Sequence, residues 1–192
     1  MGRKKTIPDA ELLEAARSIF VKEGYGASTR KIARRAGVSE GVIFQRFSTK
    51  DELFFAAMIP PPVDLTRMFQ RSRKSGREMI RQLTLSMLDY CRRTLPVLLP
   101  LMIHPGFRFE ELAARHPDSP LILLRRELMH FLMREKEAGR LGNTEPGAAA
   151  LLVWSTAQSL AFFERLGAHR GKFQPEIIDA TIECMWKGLA PK

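Results

Sequence analysis

The chain has 192 residues, long enough to bury a real core as one domain or as one small and one larger domain. Its formal net charge is +10 and its pI is near 10.1, a balance that points to a polyanionic partner. The two cysteines, Cys91 and Cys184, are far apart and form no C-x-x-C, which reads as reduced thiols and excludes a disulfide scaffold.

The charge is uneven. Residues 1–50 hold 11 Lys and Arg against 5 Asp and Glu, while residues 51–192 hold 20 against 16. A polyanion would therefore meet the first quarter. The opening MGRKKTIPDAELL is basic but lacks the apolar run of a secretory signal. Pro146 to Phe163 carries no charge, but it falls short of the roughly 20 apolar residues of a spanning helix and contains Ser155, Thr156, Gln158 and Ser159. It reads as a helix buried on most sides within a protein. The expectation is a cytoplasmic chain with no membrane partner.

Helical period recurs along nearly the whole chain, and no segment sustains strand alternation. The first helix is expected from Pro8 to Glu23, with Leu12, Leu13, Ala16, Ile19 and Phe20 on one face and Gly24 and Gly26 as the stop. Ser28 suits the cap of a second, short helix from Thr29 to Ala36. Gly37-Val38 interrupts, and Ser39 suits the cap of a third helix to Phe47. Thr49 and Glu52 have capping-box spacing and open a fourth helix over residues 49–58. Pro60, Pro61 and Pro62 then end it and stiffen its far end.

Beyond the prolines the pattern predicts a larger helical domain. Arg77 to Arg93 is amphipathic through Ile80, Leu83, Met87 and Cys91. Leu95 to Ile103 reads as a separate short helix punctuated by Pro96 and Pro100. HPGFRFEELAARHPDSP reads as loop, with Glu110 and Glu111 as solvated charge. Helices follow at Leu121 to Lys136, at Pro146 to Leu166 with Thr144 as a possible cap, and at Glu176 to Gly188.

Ile32, Ala33 and Ala36 on the second helix, Val38 in the turn, and Val42 or Ile43 with Phe47 on the third can pack together. Gly37 supplies the positive φ of the sharp turn. Arg30, Lys31, Arg34 and Arg35 then face outward. This is a helix-turn-helix, whose second member lies in the major groove of DNA. A helical hairpin with a solvated basic face has the same pattern, and the charge surplus with the arm Arg3-Lys4-Lys5 favours the DNA reading. No G-x-S-x-G, G-x-G-x-x-G, phosphate-binding Gly loop or H-E-x-x-H is present, so nothing in the motifs points to an enzyme. His104, His116, His130 and His169 lack metal-ligand spacing and read as surface or core, with His104 or His130 able to offer a polar group to a pocket. No metal and no cofactor are expected.

The stretch STRKIARRAGVSEGVIFQRFSTKDELF closely resembles the DNA-binding segment of the TetR/AcrR family of transcriptional regulators. The shared features are the T-x-x-I-A run, the A-G-V-S turn, the aromatic-x-x-F end of the recognition helix and the lysine that begins the next helix. The resemblance is dense over residues 8–58 and implies an all-α, homodimeric repressor whose affinity for a palindromic operator is changed by a small molecule. It implies an N-terminal three-helix helix-turn-helix domain over residues 1–50 and a larger helical domain for ligand binding and dimerisation over residues 51–192, linked by the helix at 49–58.

By the same resemblance, Ser28, Thr29, Arg30 and Lys50 meet phosphate, Arg30 having a base contact as its alternative. Ser39, Glu40, Gly41, Gln45 and Arg46 face the groove. Gln suits adenine, Arg suits guanine, and Gly41 lets the helix come close. Phe44, also at a DNA-binding position, departs from the family's usual tyrosine, keeping the ring packing but losing a hydroxyl that would meet phosphate. Met87, Tyr90, Met102, Phe131, Met133 and Trp154 sit on helices that line the inducer cavity in similar proteins, and Tyr90, Ser155 and Gln158 offer polar groups there. The apolar, flexible lining suits a hydrophobic or amphipathic inducer. The last two helices, through Ala157, Ala161, Ile178, Ile182, Met185 and Trp186, are expected to pair across a two-fold axis as a four-helix bundle. The alternative is an architectural DNA-binding protein without a small-molecule switch. Against it stands a second domain larger than simple DNA coating needs.

Overall fold

A computed structural model describes residues 7–60, 63–64, 68–69, 76–168 and 170–190. The described elements are all helices: α1 (Asp9–Glu23), α2 (Thr29–Ala36), α3 (Glu40–Arg46), α4 (Lys50–Ala57), α5 (Gly76–Met102), α6 (Phe109–Arg115), α7 (Pro120–Glu137), α8 (Pro146–Leu166) and α9 (Pro175–Leu189). The all-α expectation holds. The Arg3-Lys4-Lys5 arm, Pro61, Pro62 and His169 lie outside the described residues.

The chain divides into two compact units, Met1–Pro60 with Pro96–Leu112, and Pro61–Leu95 with Ala113–Lys192. The first unit thus reaches past residue 50 and includes α4, and α5 supplies residues to both units.

In the first unit α1 packs on α2 and α4, and α2 packs on α3. The core is built from Leu12, Ala16 and Phe20 of α1, Ile32 and Ala33 of α2, Ile43 of α3, and Leu53, Phe54 and Ala57 of α4, joined by Val97, Leu101 and Leu112. Phe20 and Phe54 meet edge to face, 5.0 Å between centroids. Arg17 of α1 donates from Nε to the Ala57 carbonyl at 2.7 Å and from Nη2 to the Ile59 carbonyl at 3.1 Å. It places a cation on the carbonyls at the end of α4, where helix dipole and unpaired acceptors both favour it.

In the second unit α7 packs on α8, and α8 packs on α9. Met87, Leu88, Leu124, Leu128, Leu132, Val153 and Ala157 are fully buried. Arg92 forks onto Glu164, Nε to Oε2 and Nη2 to Oε1, both at 2.7 Å.

Three local expectations change. The two helices expected either side of Thr94 are one, because α5 runs through Pro96 and Pro100. Each proline removes one amide donor, at a cost of about 3 kcal/mol in a helix interior. Burial of Leu95, Val97 and Leu101 on the same stretch offsets it. The supposed loop after His104 contains α6, with Glu110 and Glu111 in its first turn, where the helix dipole favours acids. The cap of α8 is Glu145, not Thr144. Its carboxylate accepts from the Gly147 amide at 2.8 Å and from the Ala148 amide, and these bonds hold it below the usual carboxylate range.

Candidate nucleic-acid interface

The turn between α2 and α3 follows from short-range bonding. The Val38 amide donates to the Ala33 carbonyl at 3.0 Å and the Gly37 amide to the Arg34 carbonyl at 3.3 Å, the paired closure of a Schellman motif. Gly37 sits at φ 70°, ψ 29°, the left-handed region that glycine enters without strain. Thr29 at the start of α2 donates its hydroxyl to Glu40 Oε1 of α3 at 2.6 Å. Ser28 and Ser39 stand at the N-cap positions with extended backbone, but neither hydroxyl makes a cap bond, contrary to the capping expected. Thr49 does cap α4, accepting from the Glu52 amide at 3.1 Å. Glu52 reaches back to the Ser48 amide at 2.8 Å, one residue before the cap.

The ten residues expected at DNA all lie in the first unit. Ser28, Arg30, Ser39, Gly41, Phe44 and Gln45 are exposed, and Thr29, Glu40, Arg46 and Lys50 are half-buried. Arg34 and Arg35 are also exposed. The Phe44 ring is 45 % exposed, so it is not chiefly a packing group as its family position suggested. Gly41 lies in the first turn of α3. Nothing in the chain requires it, since an added Cβ would meet only Ser39 Oγ, at 3.7 Å. The missing side chain keeps an outward surface clear.

Tyr25 and Asp9, which have no part in the sequence reading, and His104, read there as surface or core, set the geometry. Tyr25 lies under Lys50, whose Nζ is 4.7 Å from the ring centroid, and its hydroxyl donates to the Asp51 carboxylate. That bond, first among the causes, raises the Tyr25 pKa. Asp9 holds Arg46, Nη1 to Oδ1 at 2.7 Å. His104 is buried among Tyr25, Phe54 and Phe55, with ring centroids 4.4, 5.1 and 5.0 Å away, and its Nδ1 accepts from the Gly106 amide. It is a core group of the DNA-side unit rather than a pocket residue. Apart from the local His104–Gly106 bond, none of these pairings has a sequence signal, because each joins residues far apart in the chain.

Residues 12–57 match the family model for bacterial regulatory proteins of the tetR family. That segment is of the TetR type. A transcriptional repressor, AcnR of Corynebacterium glutamicum, is 43% identical over 29% of this chain and 30% of its own length. The match therefore spans under a third of that relative. The repressor Rv1474c of Mycobacterium tuberculosis is 29% identical over 71% of this chain and 70% of its own. A Rhodococcus sp. RHA1 structure of unknown function shares the fold, with a TM-score of 0.73 at 22% identity over 97% of both chains. A TetR-family regulator from Pseudomonas syringae gives 0.61 at 23% identity, covering 94% of this chain and 93% of that one. The matched family and the two named repressors are regulators of transcription, not enzymes. No described helix of this chain is long and apolar enough to cross a membrane.

The residues expected to line an inducer cavity do not converge. Met87, Tyr90 and Phe131 are buried in the second unit, but Met102 is 55 % exposed and belongs to the first, and Ser155 is exposed. Met133 is also exposed, at 41 %. Trp154 donates from Nε1 to Gln158 Oε1 at 2.9 Å, so Gln158 serves its own helix. Trp154 also lines a groove of about 360 Å³ between α7 and α8, with Ile122, Met129, Ala150 and Leu151 as walls and Arg125 and Arg126 among its polar groups. Among the described residues the buried Tyr90 hydroxyl has no hydrogen-bond partner, and burial pushes its pKa up to about 12.

The dimer residues change too. Ala157, Ala161, Ile178, Ile182 and Met185 are buried within their own chain, and Trp186 is half-buried. They are core, because α8 and α9 turn these faces inward. The apolar side chains left outside are Leu151, Leu152, Phe163 and Leu166 on α8 and Ile177 on α9.

Proposed function

We propose that this chain is a repressor that binds a palindromic operator as a homodimer and is released by a small amphipathic or hydrophobic molecule. The carrying observation is the outward surface of α2, α3 and the start of α4. It is basic, unobstructed at Gly41, and bears Gln45 and Arg46 beside an exposed Phe44. Gln45 and Arg46 suit adenine and guanine edges, and the Phe44 ring suits a thymine methyl. Lys50, Thr29, Ser28 and Arg30 suit phosphate.

Binding to an operator library tests this. Arg46→Ala should cost about 1–3 kcal/mol at one base position and relax preference there. Lys50→Ala should weaken all sequences alike and lower the salt slope by roughly one unit. Identical, sequence-independent losses for both would sink the assignment. The same titration with a panel of amphipathic molecules tests release. Ligand must weaken DNA binding by the factor by which operator weakens ligand binding, since coupling is reciprocal. The unsatisfied Tyr90 hydroxyl and the apolar groove beside Trp154 support a ligand in the second unit.

The homodimer reading rests on the exposed apolar face of α8 and α9, and reading two half-sites requires the two recognition helices to stand about 34 Å apart, or a multiple of it. Phe163→Glu should give monomers in sedimentation with the fold intact, because Phe163 is 45 % exposed in the single chain. A Phe163→Glu dimer as tight as wild type would reject this face.

A further inference from the structure

Arg46, placed above at a base edge, is already engaged. It ends α3, Asp9 begins α1, and their 2.7 Å ion pair spans 37 positions of sequence. The Arg46 side chain is 23 % exposed and that of Asp9 is 68 %. We propose that Asp9 is a positioning residue for Arg46, holding the guanidinium ready for one base edge and lowering its value as a contact to DNA of other sequence. This rests on the DNA-binding reading.

Three arguments carry it. An ion pair this open to water adds little to folding, so stability is a weak reason for its presence. The pair uses one donor on Nη1, and among the described residues nothing takes the Nε and Nη2 edge, the paired donors that suit guanine O6 and N7. A free arginine would lose considerable side-chain entropy on binding, and Asp9 removes part of that cost beforehand. The same carboxylate sits in the basic quarter of the chain, where it repels phosphate. On random DNA, Arg46 could serve as a phosphate contact only by leaving Asp9. Discrimination rises and indiscriminate affinity falls.

The operator is first selected from random duplexes with the wild-type chain. Affinity for that operator and for random duplex is then measured for wild type, Asp9→Asn, Asp9→Glu, Arg46→Ala and the Asp9→Asn/Arg46→Ala double variant. Asp9→Asn should lower the operator-to-random ratio roughly tenfold, at the base position that Arg46→Ala also relaxes. It should bind random duplex more tightly and with a steeper salt slope. Asp9→Glu, which keeps the carboxylate, should hold the wild-type preference. In the Arg46→Ala background the Asp9→Asn change should leave the ratio unaltered. An unaltered ratio in Asp9→Asn, or an equal fall with and without Arg46, overturns the proposal while leaving the DNA-binding reading intact. Thermal melts of each variant separate these outcomes from unfolding, and a fall explained by a lost fold also overturns it. A wild-type chain that selects no sequence overturns both readings together.

Discussion

Phe54→Ala should lower the stability of the chain by about 3–5 kcal/mol and remove operator binding under conditions where wild type binds fully. Phe54 is fully buried and stands at the centre of an aromatic cluster, with Phe20, Tyr25, Phe55 and His104 at centroid distances of 5.0, 5.3, 5.8 and 5.1 Å. Truncation loses the ring's burial and opens a cavity that helices already pinned by the Arg17 bonds cannot close. A domain holds only about 5–15 kcal/mol in total, so a loss of this size empties much of the folded population. Tyr25, which carries Lys50 on its ring, loses its support in the same step. Urea unfolding with duplex binding on the same samples checks the claim. A cost under about 1 kcal/mol would show that the cluster is not what holds the DNA-side unit together.

Arg92→Ala should cost about 3 kcal/mol, near the low end for a broken buried pair, because Arg92 retains some water contact. The Glu164 side chain is 6 % exposed and that of Arg92 is 26 %. Glu164 also accepts from the Phe173 amide at 2.9 Å. Without Arg92 a nearly buried carboxylate keeps that amide as its hydrogen bond and Lys172 as a nearby cation. The pair also sets a pH dependence. The Arg92 hydrogen bonds, the largest cause, hold the Glu164 carboxyl below the usual carboxylate range, while burial opposes and the Phe173 amide adds. A carboxyl whose folded-state pKa lies below its unfolded value adds stability that is fully present above the unfolded value, near pH 4.3. That stability is lost as pH falls through the folded value. Arg92 stays protonated throughout and contributes no titration of its own in this range. Glu164→Gln should therefore be less stable than wild type at pH 7, and the two should converge as pH drops below about 4. A constant gap from pH 7 to pH 3 would remove Glu164 as the cause.

The DNA-side unit was readable from sequence because its signals are local. A glycine after α2, a Thr-x-x-Glu box before α4 and apolar side chains three and four apart each act within one or two turns. The expected bounds agree within a residue for α1, α2, α3, α4, α7, α8 and α9. The run through Pro96 and Pro100 was misread because a local rule, that proline ends helices, lost to burial on both sides of it. α6 was missed because its seven residues carry too short a period to stand out among turn-forming neighbours.

The sequence by itself determined the helical class, the helix-turn-helix, and which residues of α2 and α3 face outward. Those follow from period, turn chemistry and charge within single segments. Only the tertiary structure decided which apolar faces are core and which are left over. α8 is apolar on nearly every side, so its pattern cannot say that Ala157 and Ala161 turn inward while Leu152 and Phe163 turn out; that depends on where α7 and α9 lie. The same holds for ion pairs. Asp9 with Arg46 and Arg92 with Glu164 join residues 37 and 72 positions apart, and a charge selects its partner by distance in space, which no spacing along the chain encodes.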